Sequence, residues 1–234
     1  MSAVKGSVNK PSDAPSKRGE PAAATADATP ADPKAAPTPK DPLDTLCQSA
    51  RAGDRAAFDA LVLQSYDRAY TIALNMLRSE PDARDVVQDA FVRVQRGLQD
   101  FQGNSKFTTW LYRVVVNLCL DAIRHKKRWG EKTPTELDTL PGRERNPEQD
   151  TADTELKRAL AAGLQQLPEI HRATFLLFEV EGLSYEEIAK VTGVRVGTVM
   201  SRLFNARKKM QAFLSPLLGI EGSDTLKELK EEDE

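Results

Sequence analysis

One stretch narrows the possible folds more than any other: Gly182-Leu183-Ser184-Tyr185-Glu186-Glu187-Ile188-Ala189-Lys190-Val191-Thr192-Gly193-Val194-Arg195, continuing through Lys209. Ser184 with Glu187 three residues on is a capping box, which predicts a helix starting at Ser184. Ile188, Ala189 and Val191 give that helix an apolar side. Gly193 stands where a left-handed residue lets the chain turn sharply. A second helix then carries Val196, Val199, Leu203 and Ala206 as one buried stripe. Opposite the stripe fall Gly197, Ser201, Phe204, Asn205 and Lys208, with Thr198 and Met200 beside them. Between Arg195 and Lys209 there are five basic residues and no acidic one. Two short helices, the second polar, basic and rich in small residues, fit the helix-turn-helix that enters the DNA major groove. The alternative is an αα-hairpin with a solvated basic face.

The rest of the chain divides by composition. Residues 1–42 hold eight of the fourteen prolines and no aromatic residue, a composition that predicts a disordered Ala/Pro-rich tail. Order is expected from near Leu43. Ala57, Phe58, Leu61, Val62 and then Ala69, Ile72, Ala73, Met76, Leu77 fit two amphipathic helices ending before Pro81. Asp82 is the expected N-cap of the next, with Val86, Val87, Ala90, Phe91, Val94 and Leu98 buried and Asp85, Gln88, Asp89, Arg93 and Arg96 outside. Gln102–Lys106 reads as a loop whose Asn104 or Ser105 can cap a helix from about Phe107 to Lys127. That helix has Phe107, Trp110, Leu111, Val114, Leu118 and Ala122 on its core side and Arg113, Asn117, Leu120 and Arg124 on one flank. Six basic residues and one Asp between Lys106 and Arg128 leave a charge of +5. Such a flank suits phosphates and unstacked bases, or is simply solvated. Residues 129–153 read as a linker, 154–218 as a second helical group holding the helix-turn-helix, and 219–234 as an acidic tail.

What is missing excludes several classes. No apolar run approaches the ~20 residues that span a bilayer, and the N-terminus has no hydrophobic signal segment. Cys47 and Cys119 are far apart and only two histidines are present, so neither a zinc site nor a disulfide framework is expected. No phosphate-cradling glycine loop or nucleophile–base pair is visible, so no catalytic residue, metal or cofactor is assigned. The expectation is a cytoplasmic protein that is not an enzyme.

Two separated stretches resemble the extracytoplasmic-function sigma factors of bacterial RNA polymerase. Asp85-Val86-Val87-Gln88-Asp89-Ala90-Phe91-Val92-Arg93, Phe101, and Phe107-Thr108-Thr109-Trp110-Leu111-Tyr112-Arg113-Val114 with Asn117 and Asp121 are similar to that family's region 2. Leu167-Pro168-Glu169-Ile170-His171-Arg172, Gly182–Ala189 and Val196–Leu203 are similar to its region 4. The resemblance covers about residues 44–215. It implies an all-α chain with a region 2 domain at 43–128, a flexible linker at 129–153, and a region 4 domain at 154–218. It also implies that Asp85, Gln88 and Asp89 dock on the clamp helices of the largest polymerase subunit, with the flap region as a further contact. Phe101, Gly103, Asn104, Ser105, Arg113, Asn117, Arg124, Lys127 and Arg128 would engage the −10 element, one base of it flipped out. Arg195, Thr198, Met200, Ser201, Arg202, Phe204, Asn205 and Lys208 would engage the −35 element as duplex. The linker would thread towards the RNA exit channel and is too short for the middle domain of larger sigma factors. The chain departs from the family's usual basic residues at Met200 and Asn205.

The expected function is therefore a sigma factor that binds core RNA polymerase and promoter DNA, with an anti-sigma factor as a candidate further partner. Its main rival is a helix-turn-helix repressor or activator that acts without core polymerase. A helical adaptor that touches no nucleic acid is a second rival, against which the two separate basic clusters argue.

Overall fold

Several helix boundaries follow from local start and stop signals. The computed structural model describes residues 41–129 and 150–216. Residues 1–40 of the expected tail, most of the linker and the acidic tail lie outside the described residues. α1 (Pro42–Arg51) starts at an Asp41 N-cap with proline in its first turn. α2 (Arg55–Leu77) is one continuous helix, where the sequence suggested two. Nothing between Phe58 and Leu77 breaks it, since no glycine or proline occurs there, and it ends where Arg78 adopts the left-handed conformation. α3 (Glu80–Gly97) is capped by Ser79, not by Asp82 as expected. Pro81 is tolerated inside the first turn because the N–H it lacks has no helical acceptor there.

α4 (Phe107–Trp129) follows the loop. Its first N–H is not taken by Asn104 or Ser105: Phe107 N–H donates to Asp44 Oδ1 of α1 at 2.7 Å. α5 (Asp150–Gln166) already begins inside the span read as linker. α6 (Glu169–Glu179), α7 (Tyr185–Thr192) and α8 (Val196–Leu214) complete the order, and no strand occurs among the described residues. The fold class is all-α, as expected.

The helices pack as two groups, α1–α4 and α5–α8, which also pack on each other through α4 with α7 and α2 with α6. This second contact explains why α4 is buried more widely than its periodicity suggested. Besides Phe107, Leu111 and Leu118, it buries Tyr112, Val115, Val116 and Cys119, while Trp110 and Val114 are only half-buried. A helix covered from two sides loses the single stripe that sequence reading looks for.

Candidate nucleic-acid interface

The helix-turn-helix forms as its sequence dictates. Ser184 Oγ accepts from Glu187 N–H at 3.2 Å, and Glu187 Oε2 accepts from Ser184 N–H at 2.9 Å, so both halves of the capping box are made. Gly193 sits at φ 69 and returns its N–H to Ala189 O, ending α7 where α8 must diverge. α8 buries Val199, Leu203, Ala206 and Met210, with Val196 half-buried. That leaves Arg195, Gly197, Thr198, Ser201, Phe204 and Asn205 exposed, Phe204 at 66%. Met200, Arg202 and Lys208 are half-buried. Arg202 differs most from its expected place: its Nη1 is buried with no protein partner. His171 lies near it, and burial together with the charges of Arg202 and Lys209 holds the imidazole below its usual pKa. Arg207, outside the expected set, is structural. Its Nε and Nη2 both donate to Glu179 Oε1, at 3.0 and 2.8 Å, and its guanidinium lies 4.9 Å from the Phe178 ring centre.

The second surface is the loop before α4. Phe101 stacks on Trp110 at 4.8 Å, Gly103 takes φ 74, and Asn104 donates to Gln102 Oε1 at 3.2 Å. Ser105 is half-buried beside them. At this positive φ glycine avoids the steric cost that a residue with a Cβ would meet. Arg113, Asn117, Arg124, Lys127 and Arg128 are all exposed on α4. Arg124 is paired with Asp121 at 2.6 Å, one turn earlier. Lys126 is held by Asp82 of α3, whose carboxyl is penalised by burial but kept below its usual pKa by hydrogen bonds from Lys126 and Ser79.

The two surfaces are joined by ion pairs the sequence did not foretell. Lys106 of the loop pairs with Glu187 Oε1 of α7 at 2.8 Å, and Lys127 with Glu169 of α6 at 2.5 Å. Tyr112 OH donates to Glu181 Oε2 at 2.5 Å; burial first, then this carboxylate, raises the phenol's pKa.

A third surface lies on α3. Asp85, Gln88 and Asp89 are exposed along it. Beside Gln88 an apolar groove of about 700 Å³ opens between α2 and α3, with Leu63, Tyr66 and Val92 on its walls. Leu63 is 78% exposed. The sequence reading assigned Leu63 no role; the apolar pair Leu63 and Tyr66, three residues apart and off the Leu61–Ala69 core stripe, was the available signal. Among the described residues no helix is long and apolar enough to cross a membrane, and no group of His, Cys, Asp or Glu could hold a metal ion.

Comparison with known proteins gives two matches in chain order: Sigma-70 region 2 over residues 61–129 and Sigma-70, region 4 over residues 151–210. The chain is 40% identical over 167 residues to the ECF RNA polymerase sigma factor SigE of Mycolicibacterium smegmatis, spanning 70% of this chain and 65% of that relative. It is 36% identical over 184 residues to the RNA polymerase sigma-H factor of Pseudomonas aeruginosa, spanning 74% and 94%. Among solved structures, CnrH in complex with the cytosolic domain of CnrY aligns at TM-score 0.57 and 29% identity, covering 77% of this chain and 99% of that one.

Proposed function

The chain belongs to the extracytoplasmic-function sigma factors, and we propose how its surfaces divide that family's work. It binds core RNA polymerase and directs promoter-specific initiation in the cytoplasm, reading the −10 element with region 2 and the −35 element with region 4. It makes and breaks no covalent bond. An anti-sigma factor is a further partner in this reading, as NepR is for the structurally similar RpoE.

On α8, the exposed Thr198, Ser201, Phe204 and Asn205 suit base edges and thymine methyls in the major groove, with Arg195 on the phosphates. Met200, Arg202 and Lys208 flank that patch. Phe101, Gly103, Asn104 and Ser105, with Asn117 and Arg113, take an unstacked −10 base. Arg124, Lys127 and Arg128 hold its backbone. The α3 row of Asp85, Gln88 and Asp89 docks on core polymerase, helped by Leu63 and Val92 at the adjoining groove.

The observation that carries the reading is the pairing of two exposed polar and basic surfaces, on α8 and around the start of α4, with a third, apolar-edged surface carrying Asp85 and Asp89. A repressor needs only the first of these. Purified full-length protein should confer promoter-specific transcription on core polymerase and bind the same duplex poorly alone. Tight operator binding by the free protein, with no effect on core polymerase, would make it a repressor instead.

A further inference from the structure

The loop that takes the unstacked base is one wall of a cavity whose other wall is α1. The cavity has a volume of about 510 Å³, and α1 lines it with Asp44, Gln48 and Arg51, opposite Phe101, Gly103 and Lys106. α1 is fastened there at both ends. Asp44 Oδ1 accepts from Phe107 N–H at 2.7 Å, and Gln99 Nε2 donates to the Arg51 carbonyl at 3.1 Å. Phe101 is held in turn by its stack on Trp110. The lining thus combines an aromatic ring, a carboxylate and an amide, with Arg51 and Lys106 as cations. Stacking surface, hydrogen-bonding groups for a base edge and cations for phosphate are together what a single extruded nucleotide requires.

We propose that α1 completes the −10 base pocket, with Asp44 and Gln48 as specificity-determining residues. The proposal rests on the loop being the −10 site. A carboxylate only accepts hydrogen bonds. Asp44 Oδ1 is engaged by Phe107, and among the described residues Oδ2 has no donor. A base that satisfies Oδ2 must offer an exocyclic amine, which adenine, cytosine and guanine carry and thymine lacks. The one ring N–H of thymine is flanked by two carbonyl oxygens that a carboxylate repels. Gln48 is exposed, and its amide brings a donor and an acceptor to the neighbouring ring atoms of the captured base. The pocket therefore selects an amino-bearing base and rejects thymine.

The test uses full-length protein with core polymerase on promoter templates in which each non-template −10 position is set in turn to all four bases. At the captured position the wild type should initiate about tenfold less from thymine, the scale of one lost base contact. Asp44→Asn keeps an oxygen for Phe107 N–H but turns the second group into a donor, so preference at that position should shift towards thymine. Gln48→Leu changes an exposed side chain outside the cap and should flatten discrimination there with the melting temperature unchanged. If both variants discriminate as the wild type does while Asn104→Ala alters the preference, the loop reading stands and the α1 proposal falls. If the wild type shows no preference at any −10 position, the loop reading falls with it.

Discussion

Arg172 illustrates how a buried charge can be held by backbone carbonyls, with the Glu169 carboxylate adding only its field. It is 6% exposed, and its guanidinium donates to Leu164 O and Met76 O at 2.8 Å each and to Leu167 O at 3.2 Å. These carbonyls sit at or just beyond the ends of α5 and α2, where C=O groups run short of helical donors and carry partial negative charge; Leu164 O also accepts from Leu167 N–H at 3.2 Å. One planar fork thus caps two helices and ties region 4 to region 2. Arg172→Met should cost about 3 kcal/mol in urea unfolding, because several buried acceptors lose their donor together. Arg172→Lys should recover only part of it, since an ammonium lacks the fork geometry. A loss below about 1 kcal/mol for Arg172→Met would mean the carbonyls find other donors. Nothing in the sequence marked this role. Arg172 was visible only as part of a family-like Leu-Pro-Glu-x-x-Arg run, because its acceptors lie up to 96 residues away.

Glu187 divides its two oxygens between two tasks, which makes α7 a testable element. Oε2 closes the capping box and Oε1 pairs with Lys106. Burial works against its ionisation, yet the hydrogen bonds from Lys106 and Ser184 keep its pKa below the usual value. Glu169 is likewise lowered, chiefly by the hydrogen bond from Lys127. Carboxyls lowered in the folded state stabilise it fully above their ordinary range of about 4 and lose that contribution as the pH falls through their folded values. The melting temperature should therefore be insensitive to these groups from pH 8 to 5 and drop on acidification below about pH 4. Glu187→Gln should remove part of the drop while helix content holds. An unchanged acid limb in Glu187→Gln would show that the pair adds nothing. α3 offers a second element-scale test. Replacing Asp85, Gln88 and Asp89 by Lys should abolish core-polymerase binding in a pull-down while each exposed change costs within ~0.5 kcal/mol. Unfolding of the triple variant, or normal core binding, would contradict the docking face. These short-range features were legible: capping box, Gly193 turn and the α8 stripe all follow from residues within one turn of each other. The cap of α4 was not, because its acceptor Asp44 lies 63 residues upstream.

At the scale of the molecule, the two surfaces proposed to read the promoter lie on helix groups that are packed together. Lys106 beside the proposed −10 pocket touches the first turn of α7, and α8 is only 19 residues long, or ~29 Å. Promoter elements centred about 25 base pairs apart are separated by roughly 85 Å at 3.4 Å per pair. In the proposed division of labour both cannot be read at once in this arrangement, so it predicts that the contacts Lys106–Glu187, Tyr112–Glu181 and Arg172–Met76 open when the promoter is bound. Sequence reading separated two helical groups correctly but could not foresee their contact, since Tyr112, Val116 and Cys119 looked like ordinary positions on a singly covered helix. The central claim is that region 2 and region 4 read different promoter positions through different helices. Selection of randomised promoters by core polymerase carrying wild-type protein, Asn117→Ala or Asn205→Ala tests it most directly. Asn117→Ala should relax one −10 position and slow strand opening with −35 preference intact, and Asn205→Ala should weaken particular −35 base pairs with −10 preference intact. Both variants shifting the same base pair, or Asn117→Ala changing only the −35 preference, would contradict the account.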